Sequence, residues 1–194
     1  MAKVGDQLLQ PEQGWKRYDD TDTRFTYRGF DTHKEDSQSY NETYAGAISA
    51  ENPEIEFTFV GSKIRIIATV SSTYSQDIQI IIDGNVESFS AYRSSMQRQT
   101  LVYHKEGLEF KEHHVLIRTN TPASNVVAYD YRFDAIDIDD TGYMTPVVIG
   151  EEILLHPMIG WKRYNDNHPA IKYQKGKWQY MKGSNNYNGD YTGA

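Results

Sequence analysis

Apolar residues recur at every second position through much of the stretch between Glu54 and Asp139. A period of two places alternate side chains on opposite faces of a β-strand, whereas an amphipathic helix repeats every 3.6 residues. Ile55, Phe57 and Phe59 show the pattern most clearly, because one polar residue separates each from the next. No stretch of about a dozen residues carries the apolar stripe of an amphipathic helix. The pattern predicts an all-β chain in which helices are at most short insertions.

Turn-forming residues divide this stretch into about seven short strands. Gly61-Ser62 separates the first two strands. Asp83-Gly84 predicts a tight hairpin, because both residue types tolerate the positive φ of a primed two-residue turn. Short antiparallel strands at spacings of about 8 to 12 residues are typical of two-layer sandwiches. We therefore predict an antiparallel β-sandwich of the jelly-roll type.

One segment occurs twice in the chain. LLQPEQGWKRYDD begins at Leu8 and LLHPMIGWKRYND begins at Leu154, with 9 of 13 positions identical, and the likeness resumes between SQSYNETYAGA and SNNYNGDYTGA. We expect residues 1–149 to form one complete module and residues 150–194 to be the opening third of a second, truncated copy. A C-terminal hairpin that reuses the motif is the alternative. Trp15, which recurs within GWKRY, suits a buried anchor at least as well as a ligand platform.

Charge and composition exclude several classes of partner and site. The chain has 194 residues, and its 27 acidic and 20 basic residues give a formal charge of -7. Clustered cations are needed to neutralise phosphates, so we expect no binding to nucleic acid. The apolar runs fall far short of the roughly 20 residues that span a bilayer, so we expect no membrane insertion. The absence of cysteine excludes disulfides, thiolate zinc sites and cysteine nucleophiles.

The sequence contains none of the common catalytic signatures, such as a nucleophile elbow, a zinc-protease motif or a phosphate-binding glycine loop. Its six histidines have no spacing that predicts a metal site or a nucleophile partner. His113 and His114 are adjacent and would face opposite sides of a strand. Carboxylates are plentiful, so a glycosidase pair stays open by residue type. We expect a protein that is not an enzyme.

The longer loops are the expected place for recognition. Consecutive antiparallel strands run in opposite directions, so tight turns and longer loops should lie at opposite ends of the sandwich. Aromatic residues make up 13% of the chain, with 15 tyrosines. Tyrosine rings stack on sugars while nearby polar groups bond the hydroxyls, although tyrosines on an outer sheet face would also explain the excess. The candidate carbohydrate-binding residues on these loops are Tyr74, Tyr92, Arg93, Arg98, Asn120 and Asn125.

Acidic residues cluster at 19–22 and again at 134–140. The first and last strands of a sandwich are often neighbours, so a carboxylate from each cluster could hold a structural calcium ion with backbone carbonyls. Alternation of aspartate with isoleucine is also what a half-exposed strand shows. The candidate metal ligands are Asp20, Asp22 and Asp134.

The order of these segments resembles a known family. GWKRYDDTD, SYNETYAGA, IEFTFVGSKIRIIA, IIIDG and YRFDAIDIDDTGY follow one another as in the galactose-binding-domain-like modules of tail and fibre proteins of phages that infect Gram-positive bacteria, and of related surface proteins. The resemblance covers residues 5–145. It implies a jelly-roll sandwich, often in tandem, that binds surface carbohydrate without catalysis. It also implies a structural calcium at the closing Asp134, with Asp20 or Asp22 as the positional partner.

The sequence thus predicts a non-catalytic carbohydrate-binding or adhesion module. The resemblance places it in a phage tail or fibre protein that attaches to cell-surface polysaccharide, so the expected location is a virion tail or a cell surface. The alternative is a structural spacer or assembly module of a virion or an extracellular filament. In that case residues 150–194 would be completed by another chain, either a second copy of this chain or a neighbouring repeat module.

Overall fold

The computed structural model describes residues 1–120, 129–145, 164, 168–172, 179–182 and 190–193. The chain divides into two compact units, Met1–Val147 and Val148–Ala194. Within its described residues, the second unit contains one antiparallel pair of strands, Gln179–Lys182 and Asp190–Gly193. The expectation that residues 150–194 open a second copy of the module falls mostly outside the described residues, and it stays a prediction.

The first unit is built almost entirely from strands. Short 3-10 turns at Tyr40–Glu42 and Ser49–Glu51 flank the fourth strand. Among the described residues, no helix is long and apolar enough to cross a membrane. The strands are β1 (Trp15–Asp19), β2 (Thr26–Arg28), β3 (Phe30–Glu35), β4 (Thr43–Ile48), β5 (Glu54–Gly61), β6 (Ile64–Val70), β7 (Ile78–Ile82), β8 (Asn85–Phe89), β9 (Gln97–Lys105), β10 (Lys111–Thr119), β11 (Tyr129–Asp139) and β12 (Tyr143–Thr145).

These strands form two antiparallel sheets. Sheet 1 has the order β3-β4-β11-β6-β9, and β1 also pairs with β11 beyond the end of β4. Sheet 2 has the order β12-β5-β10-β7-β8, and β2 shares the edge of β5 with β12. The predicted antiparallel β-sandwich is confirmed. The sequence predicted β5 to β11 and missed β1 to β4 and β12, because these are short or carry no clean alternation.

The main core lies between the two sheets. Ile55, Phe57 and Phe59 on β5 are fully buried, as their alternation predicted. They pair in register with β10, where Val115 lies opposite Phe57 and Ile117 lies opposite Ile55. Full burial of each such side chain contributes roughly 1.5 to 3 kcal/mol to folding. Burial of these apolar side chains is therefore the main free-energy contribution that holds the two sheets together.

The predicted hairpin at Asp83-Gly84 is also confirmed. Both residues have positive φ, 51° and 82°, which a primed turn requires. The turn returns the chain from β7 into β8, and the two strands pair from Ile82 opposite Asn85. β8 is consequently the last strand of sheet 2.

The outer face of sheet 1 is covered as well. Leu8, Ile67, Leu101 and Ala135 form a second, smaller apolar cluster there. Strands buried on both faces show little alternation of exposure, which explains why every residue of β6 is buried. The interpretation of the alternating aspartates of β11 as one face of a half-exposed strand is therefore wrong. The buried aspartates of this alternation are Asp134, Asp137 and Asp139, and Asp130 near the start of β11 is buried as well.

Part of this cover is an added strand at the edge of sheet 1. We call residues 4–8 the N-terminal strap. The Gly5 N–H donates to the Leu101 carbonyl at 2.8 Å, the Leu101 N–H donates to the Asp6 carbonyl at 3.0 Å, and the Leu8 N–H donates to the Gln99 carbonyl at 2.7 Å. The strap thus satisfies backbone groups that β9 would otherwise leave unpaired.

A buried ion pair on the outer face of sheet 1 links β1 to β11. The Nε and Nη2 atoms of Arg17 bond the two carboxylate oxygens of Asp137 at 2.6 and 3.0 Å, and Nη1 donates to the Leu8 carbonyl at 2.8 Å. Next to it, Trp15 is buried beneath the guanidinium of Arg65, which lies 3.9 Å from the ring centroid. Trp15 is a buried anchor, as its recurrence suggested, and the WKRY core of the repeated motif is the segment that seals this face.

The Arg17–Asp137 pair generates a stability prediction. Asp137→Ala leaves the Arg17 guanidinium buried without its carboxylate, so we expect it to lower the free energy of unfolding by about 3 to 5 kcal/mol. Glu54→Ala is the matched control, because its partner Arg28 is largely exposed, and we expect a loss below about 1 kcal/mol. Urea unfolding measures both, and equal losses would contradict the prediction.

Candidate functional site

A cleft of about 520 Å³ opens between β8 and β9, the last strands of the two sheets. Val70, Phe89 and Val102 are buried residues that line it, and Val4 and Gly5 bring the N-terminal strap to one side. In the described part of the chain, β8 and β9 belong to separate sheets and do not pair with each other, so the sandwich is open at this edge. The cleft is therefore a product of the sandwich architecture.

Two of the residues predicted to bind carbohydrate lie in this cleft. Tyr92 is 46% exposed, and a parallel bridge to Ser71 fixes its backbone. The Nη1 atom of Arg93 donates to the carbonyl of Gly5 at 3.0 Å and to Oε1 of Gln97 at 2.7 Å. The cleft thus combines an exposed aromatic ring with a cationic donor that is already oriented.

A polar link between the sheets sets the width of the cleft on its other side. The Tyr103 hydroxyl donates to Oε2 of Glu87 at 3.1 Å, and Lys105 forms an ion pair with the same carboxylate. Burial raises the pKa of Tyr103 above its ordinary value, and the adjacent Glu87 raises it further. The phenol therefore stays protonated and remains a donor at neutral pH.

The other predicted loop residues lie elsewhere or are already paired. The backbone hydrogen bonds of Ser71 to Ala91 and of Ser75 to Asp130 join the 71–76 loop to residues that flank two of the other predicted longer loops, 92–99 and 120–127. Tyr74, however, is buried in the main core and has no exposed face. Asn120 donates to Asp77 at 2.6 Å. Asn125 lies outside the described residues.

Arg98 belongs to a separate cluster on the outer face of sheet 1. Its Nε donates to Asp36 at 3.0 Å, and Arg132 reaches the same carboxylate at 3.4 Å while stacking 4.4 Å from the centroid of Tyr44. Tyr129 lies flat on Gly46, where an added Cβ would come within 2.5 Å of the ring. The ion pairs and ring contacts already engage most of this cluster's polar groups, so the cleft is the better candidate site.

Sequence reasoning missed the cleft itself. Val4, Gly5, Ser88 and Ser90 line it, but they are ordinary residues in the sequence. The strap meets β9 across more than 90 positions of sequence, and no pattern in a single chain signals such a pairing. Of the residues that line the cleft, Tyr92 and Arg93 were the two that the sequence identified.

Two of the three predicted metal ligands come together. The Asp20 N–H donates to the Asp134 carbonyl at 2.9 Å. One carboxylate oxygen of Asp20 accepts from Thr43 at 2.8 Å, and one of Asp134 accepts from the Tyr40 N–H at 2.9 Å. The second oxygen of each aspartate is buried without a hydrogen-bond partner among the described residues.

Asp22 lies in a different electrostatic environment from Asp20 and Asp134. Burial raises the pKa of Asp20 to about 7 and that of Asp134 to about 8. The Nε atom of Arg24 donates to Oδ1 of Asp22 at 2.7 Å, and this guanidinium lowers the pKa of Asp22. Asp22 is thus engaged by a cation of the protein itself.

The unpartnered oxygens fit a hard cation in donor type. Calcium takes six to eight oxygen ligands, so carbonyls and water would have to complete the set around Asp20 and Asp134. Within the described residues, no group of three or more His, Asp or Glu side chains is arranged to hold a metal ion. Asp20 and Asp134 supply two unpartnered oxygens, and the assignment of calcium to them stays a prediction.

Comparison with known proteins shows the fold. Neither a protein-family model nor a curated protein matches the chain. Among solved structures it is similar to a two-domain esterase active on acetylated mannans, co-crystallised with mannopentaose, at 16% identity and a TM-score of 0.51. It is also similar to the salicylyl-acyltransferase SsfX3 from a tetracycline biosynthetic pathway, at 9% identity and a TM-score of 0.50.

These matches are partial. The esterase match covers 64% of this chain and 36% of that protein, and the acyltransferase match covers 70% and 42%. A third similar structure is the CBM35 module of Abf62 from Cellvibrio japonicus, at 9% identity and a TM-score of 0.49, which covers 66% of this chain and 96% of that module. At these identities the likeness shows the β-sandwich fold, and the chain spans well under half of the two enzymes.

The buried aspartates generate a pH prediction. In a buffer with chelator, Asp20 and Asp134 hold protons up to about pH 7 and 8 when folded, whereas unfolded aspartates release theirs near pH 4. The folded state therefore binds more protons in this window, and the free energy of unfolding falls as pH rises from 5, by roughly 1 kcal/mol per pH unit for each carboxyl, until Asp20 ionises near pH 7 and Asp134 near pH 8.

Urea unfolding at pH 5, 6.5 and 8 measures this dependence. Asp134→Asn, a neutral side chain of the same shape, is expected to flatten it. A wild-type stability that is constant or rises across the window would contradict the prediction.

Proposed function

We propose that this chain is a non-catalytic carbohydrate-binding module and that the cleft between β8 and β9 holds the sugar. The observation that carries the proposal is the cleft itself, in which the exposed Tyr92 lies beside Arg93 and buried aromatic side chains. Its volume of about 520 Å³ falls within the range of small-ligand sites, roughly 300 to 1,000 Å³.

The residues of the cleft match the chemistry of a sugar. A pyranose has apolar C–H faces and a rim of hydroxyls, so it suits a ring on one side and polar groups around it. Tyr92 offers the ring, and the hydroxyls of Ser88 and Ser90 with the guanidinium of Arg93 offer hydrogen bonds. The crystallised complex of the similar esterase with mannopentaose supports a sugar ligand for a protein that contains this fold.

The proposed role is binding without chemistry. The enzymes of similar fold extend well beyond the matched part, so their activities are not carried to this chain. We place the module in a phage tail or fibre protein that attaches to cell-surface polysaccharide, in a virion or at a cell surface. The repeated GWKRY segment supports this placement, because tandem copies of a weak binding module raise the effective concentration of the second binding event.

Calcium has a structural part in this proposal. The buried, unpartnered oxygens of Asp20 and Asp134 would bind the ion and join the end of β1 to the middle of β11. A bound cation favours the ionised carboxylates, so it would replace the protons that these groups otherwise keep.

Calcium is accordingly expected to raise the melting temperature of the wild-type chain at pH 8. Asp134→Asn should lose this response, because it removes one anionic ligand, whereas Asp140→Asn, at an exposed neighbouring aspartate, should keep it. Calorimetry with calcium and then with chelator makes the comparison. Equal responses in both variants would contradict the assignment.

Tyr92 tests the binding site. Tyr92→Ala removes the stacking ring, so we expect at least a tenfold loss of affinity for the cell-surface polysaccharide that the wild type binds, about 1.4 kcal/mol. Tyr143→Ala is the matched control, because Tyr143 is 52% exposed on β12 of sheet 2 and lies away from the cleft. Isothermal titration with extracted wall polysaccharides is the measurement. Equal losses in both variants, or no binding by the folded wild type, would overturn the site or the function.

A further inference from the structure

Arg93 differs from most arginines of the described residues in having no carboxylate partner. Its two hydrogen bonds go to neutral acceptors, the Gly5 carbonyl and the Gln97 side-chain oxygen. Arg118 is the other arginine without an ion pair, and it donates to Gln79 on the surface of sheet 2. The arginines that do pair with carboxylates are Arg17, Arg24, Arg28, Arg65, Arg98 and Arg132.

No acidic side chain lines the cleft in the described part of the chain. His104, the other lining residue that can carry positive charge, bonds Glu106 at 2.9 Å and packs its ring against Trp15 at 5.5 Å. Lys105, which follows it on β9, pairs with Glu87. The charge of Arg93 is therefore left unneutralised in the cleft of a protein whose net charge is -7.

The guanidinium is also held ready for a ligand. Nη1 makes both of its bonds to the protein, so Nε and Nη2 have no partner among the described residues. Gln97, which fixes Nη1, is itself fixed by donating to Oγ1 of Thr100 at 3.1 Å. A guanidinium with one edge anchored and the adjacent donors free matches the two oxygens of a carboxylate or a phosphate.

We propose that the cleft selects glycans that carry an anionic group, a carboxylate or a phosphodiester, and that Nε and Nη2 of Arg93 bind this group. The inference rests on the proposed carbohydrate-binding function and adds the chemical class of its ligand. A hydroxyl rim alone would be served by serine and amide groups, whereas the two free donors of a guanidinium without a carboxylate partner match two anionic oxygens.

The experiment compares polymers that differ in charge. Polygalacturonate and its fully methyl-esterified form share one sugar chain, and wall teichoic acid offers a phosphodiester instead of a carboxylate. Isothermal titration at 50 and 300 mM NaCl is run with the wild type, with Arg93→Gln and with Arg118→Gln as the matched control. Melting temperatures establish that each variant is folded.

We expect at least one anionic polymer to bind at least about tenfold more tightly than the methyl ester, with an affinity that falls at 300 mM NaCl. Arg93→Gln should lose this preference and its salt dependence, and Arg118→Gln should keep both. Preference for polygalacturonate alone identifies the carboxylate, and preference for teichoic acid alone identifies the phosphodiester.

Three results would overturn the inference. Binding of polygalacturonate and of teichoic acid no tighter than that of the methyl ester would remove the anionic selectivity while leaving carbohydrate binding intact. Equal losses in Arg93→Gln and Arg118→Gln would assign the effect to general surface charge. Absence of binding to all these polymers and to neutral wall polysaccharides, by a folded wild type, would remove the proposed function together with the inference. The wild-type comparison decides the matter even if an Arg93 variant fails to fold.

Discussion

The buried pair of Arg17 and Asp137 allows sheet 1 to be covered on both of its faces. An aspartate in the middle of a central strand would be costly to bury alone, because a carboxylate loses its hydration there. The bidentate contact with Arg17 offsets that loss and ties β1 to β11, while the third bond of Arg17 holds the carbonyl of Leu8. The N-terminal strap follows from this anchor, since Leu8 is its last residue.

Three of the four buried aspartates of β11 show how one strand combines several tasks. Asp137 holds Arg17, and Asp139 accepts hydrogen bonds from the backbone of Ser62 and Lys63, which fixes the turn between β5 and β6. Asp134 accepts from Tyr40 and keeps one oxygen without a partner. These aspartates thus provide an ion pair, a turn cap and a candidate cation ligand. The role of each one depends on the residues that pack against it, which are Arg17, the Ser62–Lys63 turn and Tyr40.

Much of the fold could be predicted because the strongest strands are local patterns. Ile55, Phe57 and Phe59 alternate, and Asp83-Gly84 is a turn signal that needs no knowledge of the rest of the chain. Strands β1 to β4 could not be found this way, since they are short or carry no clean alternation, and β1 and β4 pair with β11 far along the sequence. The site could be predicted only in part. The directions of the strands indicate which loops share one end of the sandwich, but they do not show that the Tyr74 side chain is buried in the core while the Tyr92 side chain is exposed.

The N-terminal strap and the cleft share Arg93, which bonds the strap at Gly5. Docking of the strap and occupation of the cleft are therefore linked equilibria, and each must favour the other by the same free energy. A ligand on Arg93 would therefore slow exchange of the Gly5 and Leu101 amide protons with solvent. The affinity of the cleft consequently includes the free energy of keeping residues 4–8 in place, and a change at Asp6, Gln7 or Leu8 can alter recognition without altering a residue that lines the cleft.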